Sequence, residues 1–547
     1  MNDRLAATLT LTCGGTAHTI QGGNVRAFSL RLTPWGAEGT VEFVLQDDQT
    51  RGGQYTDGVL ADFQKPDLAE VSLSVSAVRS DAQKDPTIPA IATRGLVVER
   101  SVTEKIHDKG FTERPVLYRR YRVRFVDAAR ALWRQHHPTL LTVDQSFQDV
   151  LDANKGDKIT LSYDWDTLSA AVPMVFFHLP RAAGASFYDL VTWYVSHKAG
   201  VLTFDHTAGT YKLSKTKDAS GTAAVLPRED VVDLTWEIAE PVRYAPRVLN
   251  VSAASPKLSA ITNQDAATGI YDDVVICSDV AQEGDDRVTA ETARARAPAT
   301  RLTLSFARFP AVPVSPGSLV TASTSGGFPS SIRTTPGDLR VLDLSMSARA
   351  LDQGPEADYG DTATGFEIEL GLLLEDQDDP FVSLPPFAPP KFPGYLEGKC
   401  VSAVGEDTDV TYEITANETT SVDEYKVEIP SFESKQIKAP YMSAQATGTF
   451  YLPVYKNERV RLACFFDRAE IVRVLDHRPG ARVPQDGQGQ HLLFGKSDKS
   501  NTSMLHDYQS DKPVLRVLRT NESDTVLLRL EEGKMTLKVE ETEGGGS

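Results

Sequence analysis

The stretch ASFYDLVTWYVSHKAGVLTFDHTAGTYKLSK, Ala185 to Lys215, sets two aspartates and two histidines close together in the chain. Asp189, His197, Asp205 and His206 are residue types that build an acid/base pair or a metal cluster. The same types also finish helices and hairpins. Ser186 followed by Asp189 has capping-box spacing, with an acid where Glu or Gln is usual, beside the positive end of a helix. Phe187, Leu190, Val191, Tyr194 and Val195 recur at i, i+3, i+4, i+7 and i+8, which predicts an amphipathic helix. His197 and Lys198 fall in its last turn, and Gly200 stands ready as the left-handed residue that ends it. VLTFDHTAGTYKLSK then predicts a hairpin, with a turn through Ala208-Gly209 and a return strand at Tyr211–Leu213. Asp205 and His206 sit where the first strand enters that turn. Every polar side chain has a structural role, and no third catalytic partner is visible.

Composition fits that reading. A chain of 547 residues that is 41% apolar and 24% charged is a folded protein of three or four domains. The opening MNDRLAATLTLTCGG carries Asp3 and Arg4 and does not resemble a signal peptide. No apolar run approaches the roughly 18 residues that span a bilayer. Synthesis in the cytoplasm is therefore expected. A net charge of −18 repels phosphate backbones and anionic membranes. Cys13, Cys277, Cys400 and Cys464 lie far apart, without CxxC or flanking histidine pairs, and are expected as reduced, buried thiols.

Period-two alternation dominates the chain. Thr40–Gln46, Arg120–Val126, Gly365–Leu374 and Arg459–Phe466 all predict strands. A second helix is expected in VDQSFQDVLDANKG, with Asp144 as its cap, Phe147, Val150 and Leu151 as its apolar stripe and Gly156 as its stop. Pro385 to Pro393 within EDQDDPFVSLPPFAPPKFPG predict a semi-rigid strap between a larger and a smaller half. DHRPGARVPQDGQGQ (Asp476 to Gln490) is a second break. The short strands PVLRVLR, TVLLRL and KMTLKVEE follow it with no helix to cover them, which suggests a β-solenoid or a β-prism shared among chains. The fold class expected is mainly β, a β-rich α+β protein.

Other chemical patterns fail. There is no HExxH and no GxSxG. GQGQHLLFGKS (Gly487 to Ser497) misses the P-loop glycine at Gln490, and Leu492-Leu493-Phe494 predicts a strand. The run Asp376, Asp378, Asp379 begins like a calcium loop, but Pro380 and Phe381 occupy positions where such a loop needs an oxygen ligand and a glycine, so a solvated linker is expected. His136-His137, beside Trp133 and before Pro138, is expected to take a surface or packing role. Expected catalytic, cofactor-binding and metal residues are none.

The segment SFYDLVTWYVSHKAGVLTFDH resembles a run of the VgrG family, the spike proteins of type VI secretion related to contractile phage tails. Val201 and Thr203 depart from the family's Ile and Tyr. RYRVRFVDAARALWRQHHPTLLTVDQSFQDVL (Arg120 to Leu151) is similar to the strand, Trp turn and helix that precede that run. After the strap, GYLEGKCVSAV (Gly394 to Val404) resembles the opening strand of the family's OB-fold. Ala439 to Gly480 resembles its best-known stretch, with Gly448, Phe450, Pro453, Glu458, Val460 and Phe466 in place. Asn457 replaces a turn glycine, which Asn tolerates because it visits left-handed conformations.

The resemblance implies two tube-like β-barrels with an α+β insertion, an OB-fold and an intertwined trimeric C-terminal β-prism or β-helix. The implied divisions are a first hub barrel at 1–130, an insertion at 131–235, a second hub barrel at 236–375, a proline-rich linker at 376–393, the OB-fold at 394–480 and the needle at 481–547. It further implies a homotrimer with no enzymatic activity and no cofactor. Its partners would be an Hcp-like inner-tube ring, baseplate components, a PAAR-type tip protein and effector cargo, with no nucleic acid. The target membrane would be met only during puncture. The protein would be cytoplasmic until assembly and then part of an injection particle. A type VI secretion system, an extracellular contractile particle and a prophage tail hub all fit, and the rival function is a β-rich hydrolase using Asp189, His197 and His206.

Overall fold

The computed structural model describes residues 2–48, 55–78, 88–107, 116–218, 220–238, 240–278, 280–294, 300–329, 338–407, 409–418, 422–441, 453–476, 489–497 and 499–541. It divides into two compact units. The first comprises 1–138, 146–170 and 179–390, and the second 139–145, 171–178 and 391–547.

The first unit begins with seven strands: β1 (Asn2–Cys13), β2 (Thr16–Gln21), β3 (Val25–Thr33), β4 (Gly36–Gln46), β5 (Glu70–Ala77), β6 (Ile91–His107) and β7 (Val116–Val126). Alternation decides which face each strand buries. Leu5, Leu9, Leu11, Val41, Phe43, Tyr121, Val123 and Phe125 all point inward. β3, β4, β7, β6, β5 and β1 pair antiparallel in that order. Two later strands, Leu339–Ala350 and Ala363–Asp376, pair with each other and with β3 and β1 respectively, closing an eight-strand circuit. Closure removes the unpaired edges that an open sheet would expose.

Those two later strands serve a second sheet as well. Residues 344–349 pair with β3 and 363–367 with β1, whereas 339–340 pair with Leu319–Thr321 and 371–375 with Thr300–Phe306. Beyond Thr300–Phe306 lies Val231–Ile238, and beyond Leu319–Thr321 lies the two-residue strand Ala224–Val225. One long strand pair is thus common to the closed circuit and to the sheet that extends from it.

Between these strands lie two smaller α/β pieces. One holds the helices Ala128–Leu132, Phe147–Asn154 and Phe187–His197 and the three-stranded sheet Leu161–Asp164, Val201–Asp205 and Thr210–Ser214. The cap of the second helix is Ser146, not Asp144, because Ser146 has an acid three residues on and Asp144 does not. Ser146 and Asp149 close a capping box, and Asp144 takes a positive φ of 51°. The other piece pairs Ala245–Asn250 with Lys257–Ala260 and Tyr271–Ile276 and packs the helix Ala281–Arg294 against it, an element that the sequence reading lacked.

In the second unit, Gly394–Val401, Asp423–Ile429, Lys435–Pro440, Arg459–Cys464 and Ala469–Val474 form a five-strand circuit, closed by a bridge between Tyr441 and Ile471. Its core contains Val427, Ile429, Val460, Leu462, Cys400 and Cys464. It also contains Leu141, Met174 and Phe176 from the paired strands Thr139–Ser146 and Ala171–His178. Phe176 N–H donates to the Phe466 carbonyl at 2.8 Å. Asn457 has φ 71°, the left-handed turn expected of it. Gly448 and Phe450 lie outside the described residues. A five-stranded antiparallel meander, Gln490–Ser497, Ser500–Gln509, Lys512–Asn521, Asp524–Glu531 and Lys534–Glu540, completes the unit. Cys13, Cys400 and Cys464 are buried, but Cys277 is exposed, contrary to expectation, because it follows the short strand Tyr271–Ile276 at the protein surface. Among the described residues, no helix is long and apolar enough to cross a membrane.

Candidate functional site

The four polar residues of Ala185–Lys215 do not converge on a common centre. Asp189 Oδ2 accepts from Ser186 N at 2.9 Å and Ser186 Oγ at 2.5 Å, completing the box that starts the helix. Its other oxygen accepts from Ala388 N at 3.0 Å, so one carboxylate caps a helix and holds the proline strap. The His197 ring stacks on Trp193, with centroids 5.3 Å apart. Asp205 Oδ1 accepts from Thr207 N at 2.9 Å and Ala208 N at 2.8 Å, which shapes the hairpin turn. The helix ends differently from expectation. Ala199, rather than Gly200, takes the left-handed conformation, at φ 52°. Gly200 is needed for space instead, since a Cβ there would lie 2.2 Å from the Trp165 ring.

His206 is buried, and its Nε2 lies 3.0 Å from the Thr33 carbonyl, which requires that nitrogen to carry the proton and donate. Burial pushes the imidazole down to about 4, against smaller opposing effects of the Thr33 carbonyl and Asp205. Phe204 N also donates to the Pro34 carbonyl at 2.7 Å, so the hairpin docks on the β3–β4 turn.

A polar node that sequence reasoning missed lies beside this docking. Asp127 is fully buried and caps the helix Ala128–Leu132 through Arg130 N at 2.9 Å. The Tyr211 hydroxyl donates to the same Asp127 oxygen at 2.7 Å and accepts from Ala129 N at 2.9 Å. Burial raises the Asp127 carboxyl above its ordinary range. Gly36 makes room, because a Cβ there would lie 2.4 Å from Asp127 Oδ2. Asp127 at the start of an apparent helix was readable as a cap. Its partner Tyr211, 84 residues on, was not.

A second cluster corrects the expectation of a solvated acidic run. Asp379 is buried, with Oδ1 accepting from Phe381 N at 2.8 Å and its carbonyl accepting from Lys217 Nζ at 3.0 Å. Lys217 Nζ also donates to Glu375 Oε1 at 2.6 Å, and Arg340 reaches the same oxygen at 3.3 Å. Burial raises the Glu375 carboxyl and lowers the Lys217 ammonium. Partners this distant in sequence turn a run that looks solvated into an anchor for the start of the strap.

The remaining candidates are structural in placement. His137 Nδ1 lies 3.2 Å from the Ala185 carbonyl, and the His136 ring packs on Phe187 at 5.2 Å. Gln490–Ser497 of the near P-loop is a strand, as its apolar centre predicts. A cleft of about 460 Å³ between β1, β5, β6 and the Ala208-Gly209 turn is lined by Thr10, Thr12, Ser72, Arg94 and Lys158. Lys158 is paired with Glu70 at 2.8 Å.

No family model matches the chain, and no curated protein matches it. Solved structures do. A chain of the half-lidded Francisella PdpA–VgrG complex is similar over 98% of this chain and 88% of its own, at TM-score 0.71 and 12% identity. A chain of the lidless PdpA–VgrG complex is similar over 99% of each, at TM-score 0.70 and 11% identity. The fold is VgrG-like. A further structure is that of the E. coli c3393 protein, described as a type VI secretion component with structural similarity to the T4 tail proteins gp27 and gp5. It aligns with 85% of this chain and 99% of its own, at TM-score 0.46 and 11% identity. The likeness to the PdpA–VgrG chains spans both units of the VgrG-like chain, including the strap and the C-terminal meander.

Proposed function

We propose that the protein is a non-enzymatic structural hub and spike of a contractile injection machine, acting as a homotrimer. In this reading the strands of residues 1–130 and 236–375 build two tube-like barrels per chain, and three chains offer a pseudo-sixfold ring to an Hcp-like inner tube. The five-strand circuit of 394–480 is an OB-fold, and 481–547 from three chains wind into a needle that takes a PAAR-type tip. Effector cargo and baseplate components are the further partners. The chain is cytoplasmic until assembly and leaves the cell as part of the particle.

The observation that carries this reading is the C-terminal meander. Met535, Leu537 and Val539 are 64%, 68% and 71% exposed, and Leu492, Phe494 and Tyr508 are exposed as well. Val514 is the one fully buried apolar side chain of its described strands. A sheet so poorly covered within its own chain gains stability when other copies cover it. The test is mass in solution by light scattering together with a negative-stain image. A trimer with a broad head and a thin projection is expected, and a compact monomer at micromolar concentration rejects the proposal.

A further inference from the structure

The main sheet of the first unit carries opposite charges at two places that are far apart in its strand order. On β7, Tyr121, Val123 and Phe125 point into the closed circuit, so Arg120, Arg122 and Arg124 form a row on its outer face. Outward neighbours on one strand repeat at about 7 Å. The three guanidinium groups have two carboxylates for company. Glu42 is shared between Arg120 at 3.9 Å and Arg122 at 3.6 Å, and Glu99 meets Arg124 at 3.1 Å. Arg122 and Arg124 remain 63% and 51% exposed, leaving a net positive strip on a chain whose total charge is −18.

At the far end of the same sheet, Val231–Ile238 pairs with Thr300–Phe306 on one side and with no described strand on the other. Leu234 and Trp236 lie opposite the buried Leu304 and Leu302, which turns Asp233, Thr235 and Glu237 outward, all exposed. Arg301 is opposite Glu237 in register, yet its guanidinium lies over the Phe381 ring, 5.7 Å from the centroid. Among the described residues, Asp233 accepts from the adjacent Leu234 N. Val232 and Ile238, at the two ends of this edge, are also exposed. An unpaired edge with apolar ends and free carboxylates is a surface that folded proteins ordinarily cover.

In the closed circuit, β7 lies opposite the shared strand Ala363–Asp376, four strands away in either direction. The acidic edge is reached from that shared strand by continuing into the second sheet. The basic row and the acidic edge are therefore distinct surfaces of one unit, and neither can be its own partner by simple self-pairing. A contact between two different patches on identical chains is head to tail, and it closes into a ring when the rotation allows. We infer that copies of this chain associate head to tail, with the Arg120/Arg122/Arg124 row of one copy docking on the Asp233/Glu237 edge strand of the next. This rests on the homotrimer reading and names the surface that reading leaves open. Opposed rows of charge at strand spacing would fix register and favour the correct neighbour more than they would add affinity.

The test uses the full chain in a Cys277→Ser background, with Arg122→Cys and Thr235→Cys introduced singly and together, and a short bismaleimide as cross-linker. The expected result is a covalent dimer and trimer ladder for the double variant and a covalent dimer alone for a refolded mixture of the two single variants, whose chains carry one introduced thiol each, with no cross-linked species from either single variant alone. Adding Arg120→Glu and Arg124→Glu should abolish the ladder, and combining these with Asp233→Arg and Glu237→Arg should restore it. Light scattering on the untreated wild type separates the two possible failures. A trimer that yields no ladder overturns this surface and leaves the homotrimer reading standing, whereas a monomeric wild type overturns both.

Discussion

His206 shows how one residue can look catalytic in sequence and serve the fold. Its buried imidazole resists protonation down to about pH 4, whereas an unfolded histidine accepts a proton near 6.5. The stability associated with a neutral His206 is complete above about pH 6.5 and is lost as the pH falls from there to about 4, by roughly 3 kcal/mol. His206→Gln keeps a donor for the Thr33 carbonyl and removes the titration. Its urea midpoint should therefore fall less steeply between pH 7 and pH 4.5 than that of the wild type, and an unchanged slope would refute the assignment. Gly200 is the matching steric case. Gly200→Ala drives a methyl into the Trp165 ring and should cost about 1–3 kcal/mol, whereas Gly184→Ala, at a glycine with open space around it, should cost less despite its positive φ. Equal melting temperatures for the two variants would contradict this account.

At the scale of elements, the second unit depends on two strands encoded far upstream. Leu141, Met174 and Phe176 fill its core, so Phe176→Ala should destabilise the five-strand circuit by about 3–5 kcal/mol. A fragment of residues 391–547 should lack a cooperative thermal transition, as read by near-UV circular dichroism. A sharp transition in that fragment would show that the two strands are dispensable. Asp189→Ala removes both a helix cap and the hold on Ala388, so a loss of at least about 1 kcal/mol is expected, together with faster proteolytic cleavage within 380–390. Strands and capped helices were legible because their signals are local. Gly365–Leu374 alternates cleanly, Thr40–Phe43 does so before Val44 breaks the pattern, and Ser186–Asp189 reads as a cap by spacing alone. The helix Ala281–Arg294 was not legible, since AQEGDDRVTAETAR offers Val288 and small residues in place of an apolar stripe. Nor could alternation announce that Leu339–Ala350 and Ala363–Asp376 close a circuit begun at residue 2, because pairing over that distance leaves no mark within either strand. Buried Asp379 was misjudged for the same reason, its partner Lys217 lying elsewhere in the chain.

At the scale of the whole molecule, the proposed homotrimer would link stability and assembly through the C-terminal meander. Replacing its exposed Leu537 and Val539 together with Asp leaves each chain's buried cores intact. The expected outcome is a lower mass by light scattering with unchanged near-UV circular dichroism from the aromatic-rich first unit. A variant that keeps its trimeric mass would show that these apolar rows are not what other copies cover. Salt offers an independent reading of the same assembly. Contacts between exposed charges weaken as the Debye length shrinks from about 10 Å at 0.1 M to about 3 Å at 1 M, whereas apolar cover does not. The backbone passes between the two units five times, at 138/139, 145/146, 170/171, 178/179 and 390/391. Cutting the strap severs only the last of these, and the two strands that complete the second unit's core remain on the N-terminal piece. The protein is thus a natural split system. Its C-terminal piece should be recoverable only with its N-terminal complement, and it would not serve as a cassette that a gene fusion could transplant alone.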